Sequence, residues 1–359
     1  MFTSSLGVFL FGLLAAIAGG AVGAAIGGNY AFVLTGFCVL ASWGVFAATG
    51  STFGFDYLAF GPFMGPHIAF ASGVGAATFA RYRRYFDDAK DVNTPLAGLG
   101  HPSVLLCGSA FGVFGYLVQM GISNIPWFGS HTDSVALTVV ISGITARIMF
   151  GGEPGKGLFK GSLHNPELFH KHSDRLFDRI KPGPNGRWLE WQETPSQLLT
   201  IGSVFGILAG GASLFLAANV GARFTELGLP NQLAAANAQS FTFGISAIII
   251  LFLITNRNMP VQHHVTITAG LAAVQFYPLL MGSTFAEFTW TATSAWDSHA
   301  WLMAAVALLL AAVFGVMAAA LGEFFARLWY DRGVSHIDPP AAGIWISNTI
   351  VVGLAALLA

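Results

Sequence analysis

Ser130-His131-Thr132-Asp133, followed by Ala136, Ile141 and Ser142, returns 205 positions later as Ser335-His336-Ile337-Asp338, followed by Ala341, Ile346 and Ser347. One copy opens the fifth long apolar run of the chain, the other the tenth. Weaker pairs occur in the same order. Phe11-Gly12-Leu13-Leu14-Ala15 matches Phe205-Gly206-Ile207-Leu208-Ala209, His67 with Gly73 matches His264 with Gly270, and Phe111-Gly112-Val113 matches Phe314-Gly315-Val316. The offsets drift between 194 and 205, which differences in loop length absorb. Five spans per copy is an odd number, so the second copy inserts upside down, the ground plan of many transporters and solute channels.

Composition agrees with a membrane setting. Hydrophobic residues make up 54% of the chain and charged residues 9%, too little charge to cover a soluble protein of 359 residues. A net charge of −1 gives no support to a nucleic-acid partner. Cys38 and Cys107 both fall in apolar runs and form no disulfide or zinc framework.

A helix needs about 20 apolar residues to cross the hydrocarbon core. Runs at 5–27, 30–50, 66–80, 102–121, 134–151, 196–219, 238–256, 263–282, 299–326 and 339–358 meet or approach that length. The third is short and follows an apolar loop at 53–66, which reads as a possible re-entrant segment, tolerated at depth when protein buries it. With both termini outside, 14 of the 16 basic residues fall in inner loops, notably 81–95 and 152–195; Arg223 falls outside and Arg147 near the inner end of a span. The expected fold is therefore an all-α integral membrane protein of about ten transmembrane helices in two inverted five-helix repeats. Residues 1–151 form the first repeat, 152–195 a cytoplasmic linker and 196–359 the second repeat. Within the linker, Leu168, Phe169, Leu176, Phe177 and Ile180 recur at helical spacing and predict an amphipathic helix on the membrane face.

Asp133 and Asp338 each stand where a helix begins, and Pro339 follows at a first helical position, so N-capping is the plain reading. The sharper reading makes His131 with Asp133, and His336 with Asp338, a proton or cation gate at each mouth. Ser142 and Ser347 lie nine residues beyond their aspartates, about 13 Å down the axis and near mid-membrane. With Thr138, Thr145, Asn348 and Thr349 they are candidates for a solute pathway, or else small residues that let helices approach. His67 and His264 are a duplicated pair, fit for proton transfer in a pore but more simply placed at the interface. Glu323 and Arg327 stand four apart on one helix and suit an ion pair, which Arg147 is placed to join. His263-His264 and His170-x-His172 bring no third ligand at convincing spacing, so no metal and no cofactor are expected.

Hardly any acid besides Glu323 lies deep in a span, which argues against a cation pump and for a neutral solute or small anion. No nucleotide loop and no nucleophile–base pair stands at family-type spacing, so an enzyme is not expected. Five plus five inverted spans resemble the plan of several unrelated transport folds, a likeness of architecture that carries over no residue. The expected function is transport of a small polar solute or small anion by an inverted-repeat secondary transporter with a midplane site. A passive channel for a small neutral solute or anion is the first alternative; a membrane scaffold docking a partner through 152–195 is the second. The expected partners are the bilayer, the small-molecule or ion substrate and further copies of the chain.

Overall fold

The computed structural model describes residues 6–164, 181–182 and 187–359, so the amphipathic helix expected around 168–180 lies outside the described residues. The ten principal helices are α1 (Leu6–Ile26), α2 (Gly28–Thr49), α3 (Ala69–Tyr82), α4 (Pro102–Ser123), α5 (Ser134–Phe150), α6 (Pro195–Glu226), α7 (Gln232–Ile254), α8 (His263–Leu280), α9 (Ser298–Phe325) and α10 (Pro339–Leu358). Seven of them are long and apolar enough to cross a membrane: α1, α2, α4, α6, α7, α9 and α10. The other three are shorter or more polar. α3 has 14 residues, α5 has 17, and the 18 residues of α8 include two histidines and Pro278.

Their starts follow from local chemistry. Asp133, Asp338 and Asp297 each accept a hydrogen bond from the backbone N–H three residues on, and Thr194 does so less closely at 3.3 Å. Each such cap contributes about 1 kcal/mol. Capping is thus what the repeated aspartates do locally.

Small residues face inward and large apolar ones outward. α1 buries Gly12, Ala15, Ala16, Gly19, Gly20, Gly23 and Ala24, while Phe11 and Leu14 are more than half exposed. Leu208, Leu302, Leu309 and Val313 point outward in the same way. A soluble protein reverses this pattern; helices solvated by lipid show it, because small residues let backbones approach. Among the described residues the fold is all-helical, and its long apolar helices are compatible with a membrane protein.

Neighbour relations in the first half return in the second. α1 packs on α3 and α4 as α6 packs on α8 and α9, and α5 lies against α3 and α4 as α10 lies against α8 and α9. Across the halves, α2 packs on α7 and α5 on α10, each against the helix at its own place in the other half. Both crossings are antiparallel. Trp43 Nε1 donates to Ser240 Oγ while Gly36 meets Ala247 and Ile248 further along α7. Thr132 meets Thr349 and Asp133 meets Asn348, while Gly143 meets Ile337.

Packing gives a different pairing from one of the sequence matches. A Cβ on Gly112 would strike Ala16 O and Gly20 Cα; a Cβ on Gly315 would strike Gly202 O and approach Gly206 Cα. Gly20 therefore corresponds to Gly206, an offset of 186, and not Gly12, an offset of 194. Phe-Gly pairs are common in so apolar a chain, and the text match slid by two helical turns.

The segment before α3 explains that helix's shortness. After Gly50, in the left-handed region at φ 72°, the chain forms a π-helical turn at Gly54–Ala59 and irregular turns to Ile68. It runs back beside α2 until Met64 O accepts from Thr35 Oγ1 at 2.5 Å, and Phe63 O lies against Gly19, midway along α1. About 14 residues of α2, roughly 21 Å, separate Thr35 from the helix end. Irregular backbone thus runs beside α2 for about two thirds of that helix's length.

Candidate functional site

The basic loops meet at one end of the bundle. Arg84 donates to Pro154 O, Arg327 to Glu193 O, Arg332 to Lys181 O, and His336 N to Ala89 O. Arg147, wholly buried, joins this end to α5: Nε donates to Ser335 Oγ at 3.0 Å, Nη1 to the carbonyls of Leu163 and Trp329 at 2.8 and 2.9 Å, and Nη2 to Ser335 O. These partners are all neutral. Arg327 Nε does donate to Glu323 Oε1 at 2.6 Å, but Arg147 stands apart from that pair, because the 329–335 loop closes over its guanidinium first.

Between the halves lies a cavity of about 270 Å³, lined from α2, α3, α5, α7, α8 and α10 together with the irregular segment before α3. Four phenylalanines, Phe32, Phe60, Phe70 and Phe243, stand in its wall. Phe32 stands 4.7 Å from the His263 ring, and Phe70 stands 5.8 Å from His336, edge to face. Asp133 and Asp338 both line it. They sit at opposite heights: Asp133 is level with Asn348, whereas Ile337, beside Asp338, is level with Gly143. Residues 133 to 143 advance roughly 15 Å along the axis. The cavity therefore has one carboxylate toward each end.

Those two carboxylates are held differently. Asp133 Oδ1 accepts from Ala136 N–H and Oδ2 from the Asn348 amide at 2.9 Å. Burial raises its pKa, opposed by those donors. Asp338 Oδ1 accepts from His336 Nε2 at 3.0 Å and Oδ2 from Ala341 N–H at 2.8 Å. Burial acts upward here too, but the His336 hydrogen bond and charge outweigh it and hold the carboxyl below its usual range. Gly143 stands across from the Asp338 end, in the place where an amide like that of Asn348 would be needed.

Of the expected gates, only one has its histidine and aspartate together. His131 turns away from Asp133, stacks on Trp127 at 4.6 Å and bonds Trp127 O and Ser130 Oγ. His67 and His264 are buried and line no part of the cavity. His67 is wedged against Gly65, and a Cβ on Gly322 would meet the ring of His264. The last stretch of the linker, residues 187–195, folds over the end of the bundle where His264 stands. There Gln192 exchanges hydrogen bonds with Val261, and Trp191 Nε1 donates to Met259 O.

The hydroxyl candidates also lie off the cavity. Ser347 bonds Thr268 and Gly343 O, Thr138 bonds back to Ser134 O, Thr349 bonds Thr132 and Trp345 O, and Asn348 joins Thr268 to Asp133. Ser142 is buried without a partner, and Thr145 is half-buried elsewhere on α5. They are seam residues of the α5, α8 and α10 packing. In their place the cavity presents His263, Asn237, Gln239 and Ser240. His263 was hidden in the sequence by its neighbour His264, which the repeat selected; a helical wheel of α8 separates the two by about 100°.

The chain matches, over residues 3–359, a family of unknown function (DUF7973), and it belongs to that family. No curated protein and no solved structure matches it.

Proposed function

We propose that the protein is an inverted-repeat secondary transporter whose solute site is the cavity between its halves. The observation that carries this reading is the cavity itself, placed where each half meets its counterpart and lined by an aspartate toward either end. The matched neighbour relations and the antiparallel α2–α7 and α5–α10 crossings support a two-fold axis in the membrane plane, since an axis along the membrane normal would leave equivalent helices parallel. In this reading all ten helices span, the segment at 53–68 is re-entrant, both termini lie outside, and the gathered basic loops face the cytoplasm.

The same cavity bears on the solute. Asp133 and Asp338 line it, and neither Lys nor Arg does, so the small-anion expectation gives way to a neutral or cationic solute with an apolar body. A passive channel is the second reading, supported by Phe60 and Pro66 of the irregular segment lying in the cavity wall, as a fixed pore loop would. Flux into proteoliposomes over a panel of small solutes, with and without proton and sodium gradients, tests both. Gradient-driven accumulation of one compound is expected, lost in the cavity-filling variant Ala341→Trp. Rapid downhill equilibration favours the channel. Silence across the panel, with a protein partner captured through 152–195, overturns both in favour of a scaffold.

A further inference from the structure

With the cavity taken as the solute site, we propose that its ligand is an organic ammonium ion: a small cation with at least one N–H and an apolar body, seated at the Asp338 end. The first ground is charge. The titratable groups lining the cavity are Asp133, Asp338, His263 and His336, with neither Lys nor Arg among them, and Asp338 places one carboxylate at the end where the ligand is seated. A cation is drawn to carboxylates that no fixed cation in the wall neutralises, whereas an anion is repelled by them.

The second ground is the wall. Phe32 and Phe243 flank His263, and Phe70 meets His336, so rings surround the carboxylate end. Aromatic faces attract a cation within about 6 Å and also bury an alkyl or aryl body. The volume of about 270 Å³ falls just below the range of drug-sized pockets, roughly 300–1,000 Å³, which limits the ligand to one ring or a short chain.

Isothermal titration of the purified full-length protein in detergent near neutral pH tests this with ethylammonium, butylammonium and benzylammonium. Benzyl alcohol is the neutral isostere and benzoate the anion. At least one ammonium ion is expected to bind, benzyl alcohol at least tenfold more weakly than benzylammonium, and benzoate not at all. Asp338→Asn, which keeps the helix cap, is expected to weaken binding at least tenfold. Ala341→Trp abolishes it with the carboxylate intact, and Asp56→Asn, outside the cavity, leaves it unchanged. Failure of all three ammonium ions to bind, alcohol as tight as ammonium, or unchanged affinity in a folded Asp338→Asn protein overturns the proposal. Ammonium binding without flux would overturn the transport reading and leave the ligand class standing. Flux of a neutral solute without ammonium binding would do the reverse.

Discussion

Arg147 is the most buried cation of the described residues, and its ligands are three carbonyls and a hydroxyl. Replacing it by Met leaves those carbonyls buried without donors, at about 1–3 kcal/mol for each orphaned group. Arg147→Met is expected to lower unfolding free energy by about 3 kcal/mol or more. Arg147→Lys recovers only part, because a single ammonium cannot reproduce the guanidinium fork. Denaturant unfolding in detergent checks it, and a Met variant of wild-type stability would show that the carbonyl cradle holds nothing together. The duplicated serines should part company in the same assay. Ser142 Oγ has no partner, so Ser142→Ala stays within roughly 0.5 kcal/mol of the parent, whereas Ser347→Ala loses the Thr268 bond and about 1 kcal/mol. The duplicated aspartates differ in pH dependence. Asp133 has a raised carboxyl pKa, so its ionisation subtracts stability once pH rises above the unfolded value. Asp338 has a depressed pKa, so it adds stability above the unfolded value and loses it as pH falls through the folded one. Relative to wild type, Asp133→Asn should therefore fare better near pH 7 than near pH 4, and Asp338→Asn worse, read as melting temperatures at the two pH values. Equal shifts in both variants would contradict the difference in their surroundings.

Among the elements, glycine carries the packing where backbones cross. Gly112 lies on Ala16 and Gly20, and Gly315 on Gly202 and Gly206, with a carbonyl oxygen in the place of any Cβ. Gly112→Leu and Gly315→Leu are both expected to abolish a monodisperse folded protein. Gly44, with nothing near its Cβ position in α2, should tolerate Ala and gain up to about 1 kcal/mol. Size-exclusion profiles and melting curves separate these cases; normal behaviour of Gly112→Leu would refute the crossing. The element scale is also where the sequence was most readable. Apolar run length placed the helices to within about three residues, apart from α6, which runs on to Glu226, and α7, which begins at Gln232, since a span needs a fixed number of apolar residues whatever it packs against. Register was less readable. Phe11-Gly12 matched Phe205-Gly206 as text, but three-dimensional crossing pairs Gly20 with Gly206. Nor could run length reveal that Phe53 to Ile68 folds back beside α2 as far as Thr35.

For the whole molecule, the matching motifs pointed to helices that line the cavity, but most of the side chains they picked out do not line it. Asp133 and Asp338 stand in the matching motifs, and they do line the cavity. His263, Gln239 and Phe70 were not picked out, because a lining residue is defined by which helix faces which, a relation that no short motif records. Ala136 and Ala341 occupy corresponding positions in the repeat and both line the cavity, toward its Asp133 and Asp338 ends respectively. That makes them the sharpest probes of an inverted transporter with one central site. The deciding measurement is labelling of Ala136→Cys and Ala341→Cys by a membrane-impermeant thiol reagent from each side of oriented vesicles, in a Cys38→Ser, Cys107→Ser background. The account predicts that residue 136 reacts from the outside, residue 341 from the cytoplasmic side, and that a transported solute protects both. Reaction of both positions from one side only, or of neither from either side, would contradict it.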